Sequence, residues 1–116
     1  MLTESRNIDV LGTTWRVQFR EQKQDKALEE CDGYCDASES LIVVKIPEKD
    51  DMSLGNLENY QKKVLRHELI HAFLYESGMS HCSSYADNWA TNEEMVDWFA
   101  IQSPKIFKVF REQKLV

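Results

Sequence analysis

The amino-acid sequence predicts an α+β domain in which a small sheet is followed by helices. Up to about residue 46, apolar and polar residues alternate as they do in half-buried strands. From residue 53 onward, apolar residues recur every three or four positions, which is the period of a helix. Strands that precede helices in this way are typical of the α+β class. The chain has 116 residues, the length of one domain, and we expect a single domain over residues 1–116.

The sheet is predicted to contain three or four mainly antiparallel strands. Residues 8–11 form the first strand, and Gly12 forms a turn after it. Residues 14–19 form the second strand, because every second side chain from Trp15 onward is apolar.

A hairpin is predicted to follow. Residues 33–35 and 40–46 flank a four-residue turn, and Pro47 ends the second strand. The charged residues 21–30 are compatible with a loop or a short helix. We expect the strand at 40–46 to border the functional cleft, where an extended peptide can bind by adding a strand.

The longest predicted helix begins near Ser53 and ends at Gly78, a residue type favoured just after a helix. Residues 79–90 are polar and irregular, which predicts a loop. One continuous stripe of apolar residues and histidines, at spacings of three and four, runs along the helix. Its members are Leu57, Tyr60, Val64, His67, His71 and Leu74.

Two shorter helices are predicted near the C-terminus. The first begins at Thr91 or Asn92 and runs through Ala100. The second begins at Ser103–Pro104, because proline is favoured in the first turn of a helix. These helices are expected to complete the core that the sheet and the longest helix begin.

Composition and charge exclude several classes of protein. The net charge is −6, the opposite of what nucleic-acid binding needs, so we expect no nucleic-acid partner. The chain has no apolar run that could span a membrane, and residues 1–10 lack the apolar core of a signal peptide. We therefore expect a cytoplasmic protein without a membrane partner, with Cys31, Cys35 and Cys82 reduced.

The residues that carry chemistry lie on the longest predicted helix, where His67-Glu68-Leu69-Ile70-His71 is an H-E-x-x-H motif. Residues i and i+4 share a helix face, so two imidazoles there can bind one zinc ion. The intervening glutamate can reach a water on the zinc without binding the metal itself. The motif predicts His67 and His71 as zinc ligands and Glu68 as the general base. A pair of core histidines without metal is the alternative.

A catalytic zinc site needs a third protein ligand. Glu93 is favoured, because it shares a helix face with Asp97, which can orient a ligand imidazole through a hydrogen bond. Glu94 is expected instead to complete a capping box with Thr91. The alternative is that these carboxylates form only a solvated acidic helix start. The full set of candidates for this third ligand is His81, Cys82, Asp87, Glu93, Glu94 and Asp97.

The two motifs together resemble those of a known class of enzymes. The motif at residues 67–71, followed by Asn92-Glu93-x-x-x-Asp97, is similar to that of the gluzincin-type zincin metallopeptidases. The small size also resembles the metallopeptidase-like proteins of phages and mobile elements, including the ImmA/IrrE group. The resemblance covers residues 64–102. It implies a minimal zincin fold with one zinc ion on His67, His71 and Glu93, in the host cytoplasm if the protein is phage-encoded.

The expected function is that of a zinc-dependent peptidase acting on a peptide or protein substrate. Glu68 removes a proton from a zinc-activated water and delivers it to the leaving amine. His81 and Tyr85 are candidates for a second donor to the oxyanion, or are ordinary loop residues. The alternative function is a non-catalytic, zinc-stabilised binding or regulatory module of phage origin, in which Cys82 or His81 closes the fourth zinc position.

Overall fold

A computed structural model describes residues 1–48, 55–82 and 89–116, which form a four-stranded mixed sheet packed against helices. This confirms the predicted α+β class. Each described helix is too short or too polar to cross a membrane. The strands are β1 (Arg6–Val10), β2 (Thr13–Arg20), β3 (Gly33–Asp36) and β4 (Leu41–Lys45), and the helices are α1 (Leu57–Glu76), α2 (Met79–Cys82) and α3 (Glu93–Glu112).

The sheet consists of two hairpins joined side by side. β1 pairs with β2 and β3 pairs with β4, in both cases antiparallel, and β2 and β4 meet as a parallel pair in the middle. Leu11 and Gly12 connect the first hairpin with φ values of 51° and 94°, as in the tight turns that match strand twist. A 3-10 turn at Ala37–Glu39 connects the second. The predicted hairpins and the mainly antiparallel sheet are confirmed.

The strand that borders the cleft is β3, so the prediction that residues 40–46 would border it is wrong. The strand order is β1-β2-β4-β3, which places β4 inside the sheet and β3 at its edge. All four residues from Leu41 to Val44 are buried. A continuous apolar run is the pattern of a strand covered on both faces, which an interior position explains.

The buried face of α1 differs from the predicted stripe. Val64 is the only residue of that stripe that is buried. Two polar residues belong to the buried face instead. Gln61 exchanges two hydrogen bonds of 2.7 Å with the backbone of Leu2, and Glu68 belongs to the site described below. Hydrophobic spacing could not reveal a face that contains these polar side chains. The buried face of α1 consists of Gln61, Val64, Leu65, Glu68 and Ala72.

The end of α1 agrees with the prediction, and the segment after it does not. Gly78 follows the helix with a φ of 85°, as a helix-ending glycine should. Residues Met79–Cys82 form the short helix α2 where a loop was predicted, and Trp89–Thr91 form a 3-10 turn. The charged segment at 21–30, left open between a loop and a short helix, forms two 3-10 turns.

The C-terminal region is one helix rather than two, so the predicted restart at Ser103–Pro104 is wrong. Pro104 has no N–H to donate to the carbonyl oxygen of Ala100, one turn earlier. The Nε of Arg66, on α1, donates to that oxygen at 2.6 Å. Since another helix supplies the missing donor, α3 can continue through the proline.

The start of α3 lies at Asn92, one of the two predicted positions. The Asn92 side chain accepts a hydrogen bond of 2.9 Å from the N–H of Met95 and so caps the helix. The predicted capping box between Thr91 and Glu94 is therefore wrong, because the cap lies one residue later. Glu94 is exposed in the first turn, where a carboxylate is favourable next to the helix N-terminus.

Candidate metal centre

The three residues of the H-E-x-x-H motif lie together on α1. The rings of His67 and His71 have centroids 5.0 Å apart, and one potential ligand atom from each histidine and from Glu68 lies within 4.8 Å of the others. The two histidine side chains are only 14% and 18% exposed. A single helix thus presents two imidazoles and a carboxylate to one small volume.

Glu93, at the start of α3, comes closest to both imidazoles. Its Oε2 lies 3.0 Å from Nε2 of His67, and its Oε1 lies 2.8 Å from Nε2 of His71. The first turn of α3 lies beside His71 and the next turn lies beside Lys63 and Arg66, so α3 packs antiparallel to α1. The predicted third ligand therefore lies beside both predicted histidine ligands, with its side chain 71% exposed.

Asp97 lies behind His67, one turn further along α3. Its Oδ1 is 3.2 Å from Nδ1 of His67 and 3.1 Å from Nζ of Lys63. Burial opposes the ionised form, but the hydrogen bonds from Lys63 and His67 outweigh it and lower the pKa of Asp97. The Lys63 ammonium also lies 5.1 Å from the ring centre of Tyr60, whose hydroxyl donates to Asp32. A carboxylate on Nδ1 leaves Nε2 of His67 facing Glu93.

Burial changes the proton affinity of the groups in this site. Glu68 is 7% exposed, and its burial raises its pKa to about 7. The electrostatic attraction of His67 opposes this rise, and the repulsion of Glu93 adds to it. Burial lowers the pKa of His71, which favours the neutral imidazole that a metal needs. Among the described residues, none forms a hydrogen bond with the Glu68 carboxylate. An acceptor with this environment suits proton transfer.

Gly33 explains how Glu68 comes so close to the sheet edge. A Cβ at Gly33 would lie 2.9 Å from Cγ1 of Val64, 3.0 Å from the carbonyl oxygen of Val43 and 3.5 Å from Cγ of Glu68. β3 can pass this close to α1 only because Gly33 has no side chain. This residue was not predicted, since a glycine at the start of a strand also reads as a turn residue.

A cleft of about 490 Å³ opens beside Glu68, His71 and Glu93. The edge strand and its turn border one side, and the end of α1, α2 and the start of α3 border the other. A second cavity of about 200 Å³ continues past His67 toward Lys63 and Asp32. The cleft residues that sequence reasoning missed are Cys31, Gly33, Tyr34, Cys35, Ala37, Tyr75, Ser80 and Thr91. Tyr75 had one usable signal, its position four residues after His71.

The remaining predicted residues have mixed outcomes. His81 is exposed on α2 and its ring lies 5.2 Å from that of Tyr75, outside the group of converging donors described above. Cys31 and Cys35 are free thiols, as expected, and burial raises the pKa of Cys35 to about 12. Tyr85, Asp87 and the side chain of Cys82 lie outside the described residues.

The chemistry of the donor set fits a zinc ion. Two imidazole nitrogens and a carboxylate are borderline ligands that zinc accepts in three-residue sites. No family model, curated protein or solved structure matches this chain.

Proposed function

We propose that this protein is a zinc-dependent peptidase with His67, His71 and Glu93 as metal ligands. The observation that carries the proposal is the approach of both Nε2 atoms to one carboxylate, at 3.0 and 2.8 Å. Catalytic zinc sites use three such ligands and keep a fourth position for water or substrate. Asp97 supports the assignment, because ligand histidines commonly donate their other ring N–H to a carboxylate.

The chain's own residues perform the proton transfers. A bound zinc ion would supply Lewis acidity, polarising a carbonyl group and making water more acidic. Glu68 takes a proton from water as the water oxygen bonds to the carbonyl carbon. It then gives that proton to the amide nitrogen as the carbon–nitrogen bond breaks. The products are a carboxylic acid and an amine, and Glu68 returns to its starting form.

An extended peptide is the substrate that the cleft fits best. Within the described part of the chain, β3 is an edge strand, so the backbone groups on its outer side are available to an added strand. Gly33, Cys35 and Ala37 line the cleft with small side chains along this edge. A peptide placed there would have its backbone beside Glu68, which also lines the cleft.

The experiment that tests this function measures metal and proteolysis on the same samples. Mass spectrometry of purified protein should find about one zinc ion per chain. A cleavage screen on a peptide library should find products with the wild type. Glu68→Gln should keep its zinc and its fold and lose cleavage by about a hundredfold or more, because only the base is removed.

Two outcomes would count against the proposal in different ways. Cleavage by Glu68→Gln at the wild-type rate would remove Glu68 from the mechanism. Zinc in the wild type without any cleavage would favour the non-catalytic binding module instead. Glu58→Gln is the control variant, since Glu58 is an exposed glutamate near the opposite end of α1.

The choice of third ligand has its own test. Glu93→Gln should weaken zinc binding strongly, because it replaces the carboxylate that approaches both imidazoles. Glu94→Gln is the matched neighbour and should leave zinc affinity unchanged. Isothermal titration with zinc measures both. The reverse order of effects would transfer the ligand role to Glu94.

A further inference from the structure

The outer face of α3 carries large apolar side chains that the fold does not cover. Trp98 is 53% exposed and Ile101 is 42% exposed. The inner face of the same helix is covered by the rest of the protein, because Val96 and Ala100 are fully buried. A helix with apolar residues on two opposite faces has a second face, which the rest of the described chain leaves exposed.

The exposed apolar pair lies between two opposite charges on one stripe. Glu94, Trp98, Ile101 and Lys105 follow one another at spacings of four, three and four, so they share a face of α3. All four side chains are exposed. This is the seam spacing of a two-helix coiled coil, with the apolar residues central, an acid at one end and a base at the other.

We propose that this stripe pairs, antiparallel, with the same stripe of a second copy of the chain. If a two-fold axis passes between Trp98 and Ile101, Trp98 of each copy packs against the partner's Ile101. The same axis places Glu94 beside the partner's Lys105, twice in each dimer. A parallel arrangement would instead put like charges against each other, which disfavours it.

The surface beside the stripe enlarges the contact. The overlapping helices would span roughly 14 residues, or about 21 Å, and a stable interface needs more area than one helix pair provides. Phe99 and Phe73 are 44% and 43% exposed, and they line an apolar cavity of about 420 Å³ between α3 and α1. This apolar surface adjoins the stripe and is available to the body of the second copy.

The dimer surface and the metal centre use different sides of α3. Glu93 and Asp97 contact the histidine side of α1, whereas Glu94 and Trp98 face outward. Dimerisation therefore leaves both metal centres accessible. The proposal is independent of peptidase activity, and its test does not require zinc or substrate.

Analytical ultracentrifugation over a concentration series tests the proposal. The wild type should form a dimer, and Ile101→Glu should be monomeric at the same concentrations. Glu94→Lys and Lys105→Glu should each weaken dimerisation by about tenfold, because each replaces two ion pairs with two like-charge contacts. The double variant Glu94→Lys/Lys105→Glu should recover the wild-type association, since it restores both pairs in the opposite sense.

The control variant is Phe107→Ser, which removes an apolar residue of similar exposure, 50%, from the opposite side of α3. It should leave the dimer unchanged. Circular dichroism checks that every variant remains folded, as expected for substitutions of exposed residues. A wild type that stays monomeric throughout the series overturns the proposal. A double variant as weak as the single ones overturns the antiparallel register.

Discussion

The two long helices have equal length and are held in place in different ways. α1 packs against the sheet through a buried face, and Trp15 Nε1 donates to Glu76 at 2.8 Å near its end. α3 buries only Val96 and Ala100, and polar contacts to α1 at Lys63, Arg66 and the two histidines add to that small apolar contact. The candidate metal centre thus lies where a helix with a larger buried face meets one with a smaller buried face and several polar contacts.

This difference teaches how such a site can be built in a small domain. Apolar contacts fix α1 and therefore the positions of His67, Glu68 and His71. Polar contacts, together with the burial of Val96 and Ala100, position α3 and therefore Glu93 and Asp97. An ion shared by the two helices would add a bond between them, so its binding should stabilise α3 more than α1.

The largest expected effect comes from removing an imidazole. His71→Ala should abolish zinc binding and, with it, the zinc-dependent part of the unfolding free energy, which is about 4 kcal/mol at a thousandfold excess over the dissociation constant. Thermal melts with and without a chelator measure this. The wild-type melting temperature should fall on chelation and that of the variant should not. Equal shifts would show that the metal binds elsewhere.

A smaller effect is expected on the firmly packed side, at the contact between β3 and α1. Gly33→Ala should reduce the unfolding free energy by about 1–3 kcal/mol, because its Cβ would meet Val64 at 2.9 Å and the Val43 carbonyl at 3.0 Å. Gly55→Ala is the matched control, since no described residue lies within 4 Å of a Cβ there. Urea denaturation compares them. Equal unfolding free energies in both variants would mean that the contact between Gly33 and α1 is loose enough to admit a methyl group.

Next in size is the carboxylate that supports His67. Asp97→Asn should weaken zinc binding by about tenfold to a hundredfold while leaving stoichiometry unchanged, because Asp97 orients a ligand without being one. Zinc titration measures the affinity. Lys63→Met should weaken it less, since Lys63 acts only through Asp97. Unchanged affinity in Asp97→Asn would mean that α3 contributes Glu93 alone.

Much of this architecture could be predicted from local signals. The alternation from Trp15 to Phe19, the hairpin at residues 33–46 and the two candidate metal-binding motifs all depend on spacing within a few residues. What failed depends on distant contacts. The edge position of β3 follows from the strand order, and the burial of Gln61 follows from hydrogen bonds with Leu2, 59 positions away. The apolar run of β4 indicates an interior strand but does not specify which neighbour takes the edge. The burial of Gln61 leaves no trace in the hydrophobic pattern.

The continuity of α3 also depends on a distant contact, and it gives the smallest predicted effect. Arg66→Met should cost about 1–2 kcal/mol, because the Ala100 carbonyl would lose its donor. In a Pro104→Ala background the same change should cost less, because residue 104 then has an N–H for that oxygen. A double-mutant cycle by urea denaturation measures the difference. Equal costs in both backgrounds would mean that Arg66 stabilises α3 by another route.

The parallel pair at the centre of the sheet has a consequence for the order of folding. Each hairpin closes over a short turn, whereas Arg16 of β2 lies opposite Leu41 of β4, 25 residues further along the chain. Closing the longer loop costs more chain entropy, and this cost comes before the contacts between β2 and β4 can stabilise the chain. We therefore expect the hairpins to form early and the β2–β4 seam to set the folding rate. A conservative substitution at Ile42 that slowed refolding, rather than speeding unfolding, would be the kinetic signature of that seam.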